Sequence, residues 1–427
     1  MELIAYVGIF LIVLLFMMGS PLAVAFSVGS IVVLLVSMGF PPQNIAQLFF
    51  STINDYTLLA MPFFILAGTL ILRGGGMGPL RDFMNSLLGH WPGGLAVATI
   101  VFSAFLGSIS GSAAACLAII GTVLVPILVE SGYDRPFASG LAACSAELGL
   151  LIPPSIFFII FGAFNRVSIA DLFMSGIAPG VLSAFFMCLA AVVISKRRRY
   201  TLRPKASWRE ATRTFFKVIP LIFMPPVVLG GIYAGLFSPT QSAAISVYYA
   251  LGLGFFIYRR LTWRNVLESL VETARLSSMI YLMYIGGDLL GKVLGYIELP
   301  QKISEWVISF DLAPLSFLLV VEVLLLVMGF FFSSIPMVII VLPLFMPTVQ
   351  SLGIDPVLYG CLALFCAMIG EITPPVGPQL WIAAPICNEK MGAIAREATP
   401  FLVAQTLTLF LCTFFPDIPM FLVRLLR

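Results

Sequence analysis

Gly149-Leu150-Leu151-Ile152-Pro153-Pro154 and Gly370-Glu371-Ile372-Thr373-Pro374-Pro375 each set a glycine four residues ahead of a proline pair, inside a long apolar segment. Two adjacent prolines cannot continue an α-helix: they lack backbone donors, clash with the preceding turn and push the residue before them toward extended geometry. Each segment therefore reads as a helix broken near its middle. In hydrocarbon such a break strands carbonyls and amides at a cost of several kcal/mol each. Protein, water or a ligand must satisfy them, which makes both breaks candidate binding sites.

Composition places the breaks at membrane depth. The 427 residues are 60% hydrophobic and 10% charged, with a mean hydropathy of +1.08, too little polar surface to cover a soluble protein. Several stretches reach the ~20 apolar residues that span a bilayer as helix, so the expected class is an all-α polytopic membrane protein. Glu2 stands where a cleavable signal would be basic, and residues 3–18 read as a true span.

Several function classes fall away. The seven cysteines lie in apolar segments without metal-ligand spacing and read as small buried hydrophobes. The single histidine, His90, falls in a predicted cytoplasmic loop and leaves no histidine-built metal site or Ser-His pair. Gly107-Ser108-Ile109-Ser110-Gly111 has the wrong spacing for an intramembrane serine protease, and Asp288 is the one plausible intramembrane aspartate. No complete Gly-x-x-x-x-Gly-Lys-Ser/Thr loop is present, which argues against an ATP-driven pump. No transition metal, organic cofactor or nucleic-acid partner is expected.

Apolar spans are expected near 3–18, 21–39, 55–72, 136–165, 172–195, 214–236, 239–258, 270–292, 355–387 and 397–416. Two further stretches, 93–128 and 313–350, have polar, glycine-rich or proline-marked centres and are expected to be re-entrant hairpins. The loops then sort by charge. Loops 73–92, 129–135, 196–217, 259–275 and 388–396 share one side and carry 18 of the 23 Lys and Arg residues. That side is cytoplasmic by the positive-inside rule, and both termini lie outside it. The Lys196-Arg197-Arg198-Arg199 cluster reads as a topogenic signal that also meets anionic membrane lipid.

The chain repeats internally. Pro154 to Pro179 spans 25 residues, as does Pro375 to Pro400; Pro126 and Pro136 are ten apart where Pro347 and Pro356 are nine. Gly107 to Pro126 is 19 where Gly329 to Pro347 is 18. With hairpin one entering from the cytoplasm and hairpin two from outside, the repeats are inverted, the organisation of secondary transporters. The expected domains are scaffold helices at 1–55; a first repeat at 56–195, with hairpin one at 93–128 and a broken helix at 136–165; a basic cytoplasmic loop and scaffold helices at 196–258; and a second repeat at 259–427, with hairpin two at 313–350 and a broken helix at 355–387.

Hydroxyls and small residues gather at the breaks. Hairpin one carries Ser103 and then Gly107-Ser108-Ile109-Ser110-Gly111-Ser112-Ala113-Ala114-Ala115; hairpin two aligns Ser333-Ser334 with Gly111-Ser112. Serine oxygens and freed carbonyls are hard ligands that suit Na⁺, and small residues let backbones approach closely. Glu147, Glu322 and Glu371 are also expected at membrane depth.

The segment at 107–115, Leu-Ile-Pro-Pro-Ser at 151–155 and Thr-Pro-Pro-Val-Gly at 373–377 together resemble the large membrane subunit of tripartite ATP-independent periplasmic (TRAP) transporters, over nearly the whole chain. The resemblance implies an elevator-type, sodium-driven importer of small organic acid anions in the bacterial inner membrane. Its implied partners are a small four-helix membrane subunit and a periplasmic substrate-binding protein. For one sodium ion it points to Ser103, Gly107, Ser108, Ser110, Pro153 and Ser155; for a second, to Gly329, Ser333, Gly370, Thr373 and Gly377. Substrate is expected beside Ser110, Ser112, Ser155, Ser333 and Ser334, with Lys292, near Asp288, as a partner for an anionic group. The alternative is a sodium/dicarboxylate symporter of similar inverted-repeat fold that needs no binding protein.

Energetics favour more than one ion. A Na⁺ falling through ~100 mV and a tenfold gradient releases roughly 3.7 kcal/mol, from ~2.3 electrical and ~1.4 chemical. Importing a monoanion against that voltage costs ~2.3 kcal/mol, so one ion leaves only about tenfold accumulation.

Overall fold

The computed structural model describes residues 2–36, 39–88, 91–200 and 207–426; His90 lies outside them. Among the described residues the regular structure is entirely helical.

Both proline pairs break their helices. The first runs as Arg135–Leu151 and resumes as Ile156–Asn165; the second runs as Pro356–Ile372 and resumes as Pro378–Cys387. The residues ahead of the prolines, Ile152 and Thr373, are extended, as a following proline demands. In both pairs the peptide bond between the prolines is cis. Pro136 and Pro356 sit in the first turn of these helices, where a missing N–H costs nothing.

Two helical hairpins precede the broken helices. Hairpin one comprises Gly94–Ser110, a reversal at Gly111 and Ser112, and a second arm from Ala113 to Glu130; hairpin two comprises Pro314–Gly329, a reversal, and a second arm from Ser334 to Ser351. Gly111 turns the first tip at φ 61°, a left-handed conformation that favours glycine. Each second arm contains one π-helical turn, at Ile120–Leu124 and Met337–Val341. Pro126 and Pro343 follow them, and a proline that cannot donate to the carbonyl four residues back favours shifting the ladder by one residue.

The repeat order is a long helix, a short helix, a hairpin, a broken helix and a further long helix. It begins at Ala60–Arg73 with Met77–Leu88, and again at Trp263–Tyr296 with Leu299–Ile308. Arg73, in the last turn of its helix, pairs with Glu268 at 2.6 Å and Glu272 at 2.8 Å in the first turns of its counterpart. The equivalent helices thus run in opposite directions, and the repeats are inverted. The same end of the molecule gathers Arg198, which bonds Asp134 and, through two bonds, Glu397, and Arg135, which bonds the Cys387 carbonyl at 3.1 Å. Tyr258 donates to the Lys217 carbonyl there as well. Contacts therefore bring residues from all the loops grouped by charge to one end.

Helix packing divides the chain into two bundles. One joins Leu22–Val36, Ala60–Arg73, Pro239–Gly252 and Trp263–Tyr296; the other joins hairpins, broken helices and the spans Ile169–Arg198 and Met391–Phe414. They meet through small residues. A Cβ on Gly68 would stand 3.1 Å from Ser110 Cα at the tip of hairpin one, and a Cβ on Gly287 would stand 1.7 Å from Ile339 Cγ2 in the π turn of hairpin two.

Three segments differ from their sequence reading. Residues expected as a loop at 40–54 contain the helix Pro42–Ile53. The span expected at 214–236 is present but begins earlier, as Trp208–Tyr233, and is made of two helices, Trp208–Ile222 and Met224–Tyr233, joined at Phe223 beside Pro225 and Pro226. The loop expected at 73–92 holds Met77–Leu88.

Candidate functional site

In each repeat a hairpin crosses its broken helix backbone to backbone. A Cβ on Gly107 would lie 1.8 Å from Gly149 Cα, and one on Gly329 would lie 2.8 Å from Gly370 Cα. The glycines four residues ahead of the proline pairs are therefore the crossing points. Just beyond them, Gly149 and Leu150, and likewise Gly370 and Glu371, face prolines four residues on and have no helical donor for their carbonyls. The Thr373 amide reaches the Gly370 carbonyl instead, at 2.9 Å.

The tips close over the breaks. A Cβ on Gly111 would stand 3.0 Å from the Pro154 carbonyl oxygen, and the Gly377 amide donates to the Phe330 carbonyl at 3.0 Å. Gly377 is left-handed at φ 55°. Of the hydroxyls expected at the first break, Ser103 donates to the Thr99 carbonyl at 2.6 Å and stands 2.9 Å from the Ser145 hydroxyl, and Ser108 donates to the Phe105 carbonyl. Ser110 lies 3.4 Å from the Ser112 carbonyl. Ser155 is fully buried, and its Oγ has no partner among the described residues. At the second break Thr373 donates to the Ile369 carbonyl at 2.6 Å.

Between the two hairpin tips lies a cavity of about 150 Å³. Ser112, Ser333 and Ser334 line it, together with Glu371 and Gln379; Leu150, Phe157 and Ile280 supply apolar wall. Ser110 opens with Ser112 onto a neighbouring cavity that Ile280 also borders. Lys292 lines neither: it pairs with Asp288 at 2.7 Å, which accepts from Thr52 at 2.9 Å, in a separate space against hairpin two. The tips also reset one alignment. Ser112 and Ser333 both sit at the helix start, and Pro126 and Pro347 each follow by 14 residues. Ser333 thus corresponds to Ser112 rather than to Gly111, because the first tip has one residue more.

Sequence reasoning did not assign Glu371 and Gln379 to this cavity. The Ser334 amide donates to the Glu371 carboxylate, so a side chain of the second broken helix holds the tip of hairpin two. Gln379 lies two residues past the Gly377 turn, and a polar side chain so close to a break was the available signal. Among the described residues no three His, Cys, Asp or Glu side chains group as a metal site.

Glu147 is buried in the same core, within reach of the Glu371 charge, and neither of its carboxyl oxygens has a partner among the described residues. An unsatisfied buried polar group costs about 1–3 kcal/mol. Glu147→Met, similar in volume, is expected to raise the melting temperature of the detergent-purified protein. A lower one would mean that the folded protein pairs this carboxyl.

Comparison with known proteins converges on one family. The family described as "Tripartite ATP-independent periplasmic transporter, DctM component" matches residues 9–418. The chain is 33% identical over 393 residues to the C4-dicarboxylate TRAP transporter large permease protein DctM of Pseudomonas aeruginosa, covering 91% of each chain. It is 34% identical over 380 residues to the sialic acid TRAP transporter large permease protein SiaM of Vibrio cholerae, covering 89% of each. It is 32% identical over 424 residues to the isethionate TRAP transporter permease protein DctMQ of Oleidesulfovibrio alaskensis, covering 98% of this chain but only 65% of that longer protein. The crystal structure of the Alcanivorax borkumensis YdaH transporter matches its fold with a TM-score of 0.60 at 15% identity, over 86% of both chains. These relatives are transport proteins rather than enzymes, and the chain belongs with them: it is a DctM component, the large permease subunit of a tripartite ATP-independent periplasmic transporter.

Proposed function

We propose that this subunit carries a small organic acid, held by its anionic group between the hairpin tips, inward across the bacterial inner membrane on a sodium gradient. The observation that carries this reading is one serine-lined cavity flanked by two helix breaks that an inverted repeat relates. Carbonyls without helical donors and the unpartnered Ser155 hydroxyl are hard oxygens of the kind Na⁺ prefers. We assign one ion to the first break, among Ser103, Gly107, Ser108, Ser110, Pro153 and Ser155, and one to the second, among Gly329, Ser333, Gly370, Thr373 and Gly377. The relatives named for C4-dicarboxylates, sialic acid and isethionate share an acidic group, which supports the substrate class.

In this reading the hairpins are re-entrant, and the bundle that holds them moves as an elevator against the other. The close contacts at Gly68 and Gly287, where neither scaffold residue contributes a side chain, support such a movement. The basic end faces the cytoplasm and both termini face the periplasm. A periplasmic binding protein delivers the acid, and a small four-helix subunit completes the membrane part.

The test is reconstitution in proteoliposomes with both partners. Uptake of the acid that the binding protein carries should require an inward sodium gradient and should cease when the binding protein is omitted. Uptake without sodium would overturn the coupling. Undiminished uptake without the binding protein would identify a stand-alone sodium/dicarboxylate symporter instead.

A further inference from the structure

The cavity between the hairpin tips has polar groups of two kinds. Glu371, 5% exposed, contributes a carboxylate, fixed in place by the Ser334 amide. Gln379, 2% exposed, also lines the space, and its amide nitrogen is buried without a partner among the described residues. Among the described residues no lysine, arginine or histidine lines the space, and Lys292 lines another cavity, paired with Asp288. An unpartnered buried donor calls for an acceptor, and a buried carboxylate calls for a cation or donors. A dianion would meet the Glu371 charge with no side-chain cation to offset it, whereas a molecule with one group of each sign satisfies both walls.

From this we propose, building on the transport reading above, that the cavity selects a zwitterion. Its substrate is a small acid that also bears a protonated or quaternary nitrogen, with the nitrogen against Glu371 and the acid group against Gln379 and the hydroxyls of Ser112, Ser333 and Ser334. Glu371 is then the residue that sets specificity by charge, and Phe157 lies in the same wall. The volume of about 150 Å³ suits a compact molecule.

The experiment compares labelled glycine betaine and L-proline with succinate, each as uptake into proteoliposomes containing the complete transporter, with and without an inward sodium gradient. The wild type should take up at least one zwitterionic probe at least tenfold faster than succinate. Glu371→Gln retains an oxygen for the Ser334 amide and should shift that ratio at least tenfold toward succinate, while Glu371→Asp should keep the zwitterion preference. If Glu371→Gln is not recovered folded, the wild-type and Glu371→Asp ratios decide. A wild type that prefers succinate, or moves neither zwitterion, overturns the proposal, as does a ratio unchanged in Glu371→Gln. The two readings fail separately: sodium-driven succinate uptake would overturn the zwitterion and leave the coupling, whereas sodium-independent betaine uptake would do the reverse.

Discussion

Gly107→Val should yield no folded transporter. The added Cβ alone would stand 1.8 Å from Gly149 Cα, with the Gly149 nitrogen at 2.7 Å. Both neighbours are backbone, so no side chain can rotate away and the hairpin itself must lift from the broken helix. Overpacking that side chains can absorb costs about 1–3 kcal/mol; separating two helices that share a core costs more, because their buried faces part as well. Gly107→Ala should already lower the melting temperature severely. Gly329→Ala should be milder, since its Cβ would meet Gly370 Cα at 2.8 Å. Gly230→Ala is the control: nothing lies within 4 Å of a Cβ there, and a helix interior gains about 0.5–1 kcal/mol from alanine over glycine. Melting curves and size-exclusion profiles rank the three, and a Gly107→Ala protein as stable as wild type would refute the backbone crossing.

Substitution at the hairpin and break hydroxyls should separate sodium dependence from assembly. Thr373→Leu removes an oxygen between the Gly370 crossing and the proline pair and fills the space with a branched side chain; sodium-driven uptake should fall about a hundredfold while the protein still folds. Thr373→Ser keeps the hydroxyl and should retain most of the activity. Ser110→Leu should fall as far, but its Cα lies against Gly68 of the other bundle, so bulk there also wedges the two bundles apart. Ser110→Ala resolves the two effects: it fits the same space and should raise the sodium concentration for half-maximal uptake with little change at saturating sodium. Unchanged sodium dependence in both Thr373→Leu and Ser110→Leu would remove these residues from the ion sites.

The features that were legible in the sequence are those that act locally. A proline pair breaks a helix wherever it stands, and a glycine four residues earlier marks a close crossing, so the breaks and hairpin limits of 93–128 and 313–350 anticipate the arms at Gly94–Glu130 and Pro314–Ser351. Charge sorting is local too, since basic loops report on each span separately. What escaped depends on segments distant in the chain. Gln379 reaches the cavity because the second broken helix resumes beside the tips of both hairpins, and its residue type alone does not say so. Lys292 was an anion partner on family resemblance alone, and its ion pair with Asp288 one helical turn away depends on neighbours that the resemblance does not report. The helix Pro42–Ile53 was hidden by its mixed polarity: one apolar side packs on the scaffold and the other is exposed.

Ile339 seats its methyl in the notch left by Gly287, and that notch has successors. Gly291 and Gly295 follow at intervals of four, so all three share a face of the Trp263–Tyr296 helix, spaced by about 6 Å at 1.5 Å per residue. A Cβ at Gly291 would meet only the Phe164 ring at 3.5 Å, and one at Gly295 would meet nothing within 4 Å. The helix is therefore a rack with regular teeth, and hairpin two engages one of them.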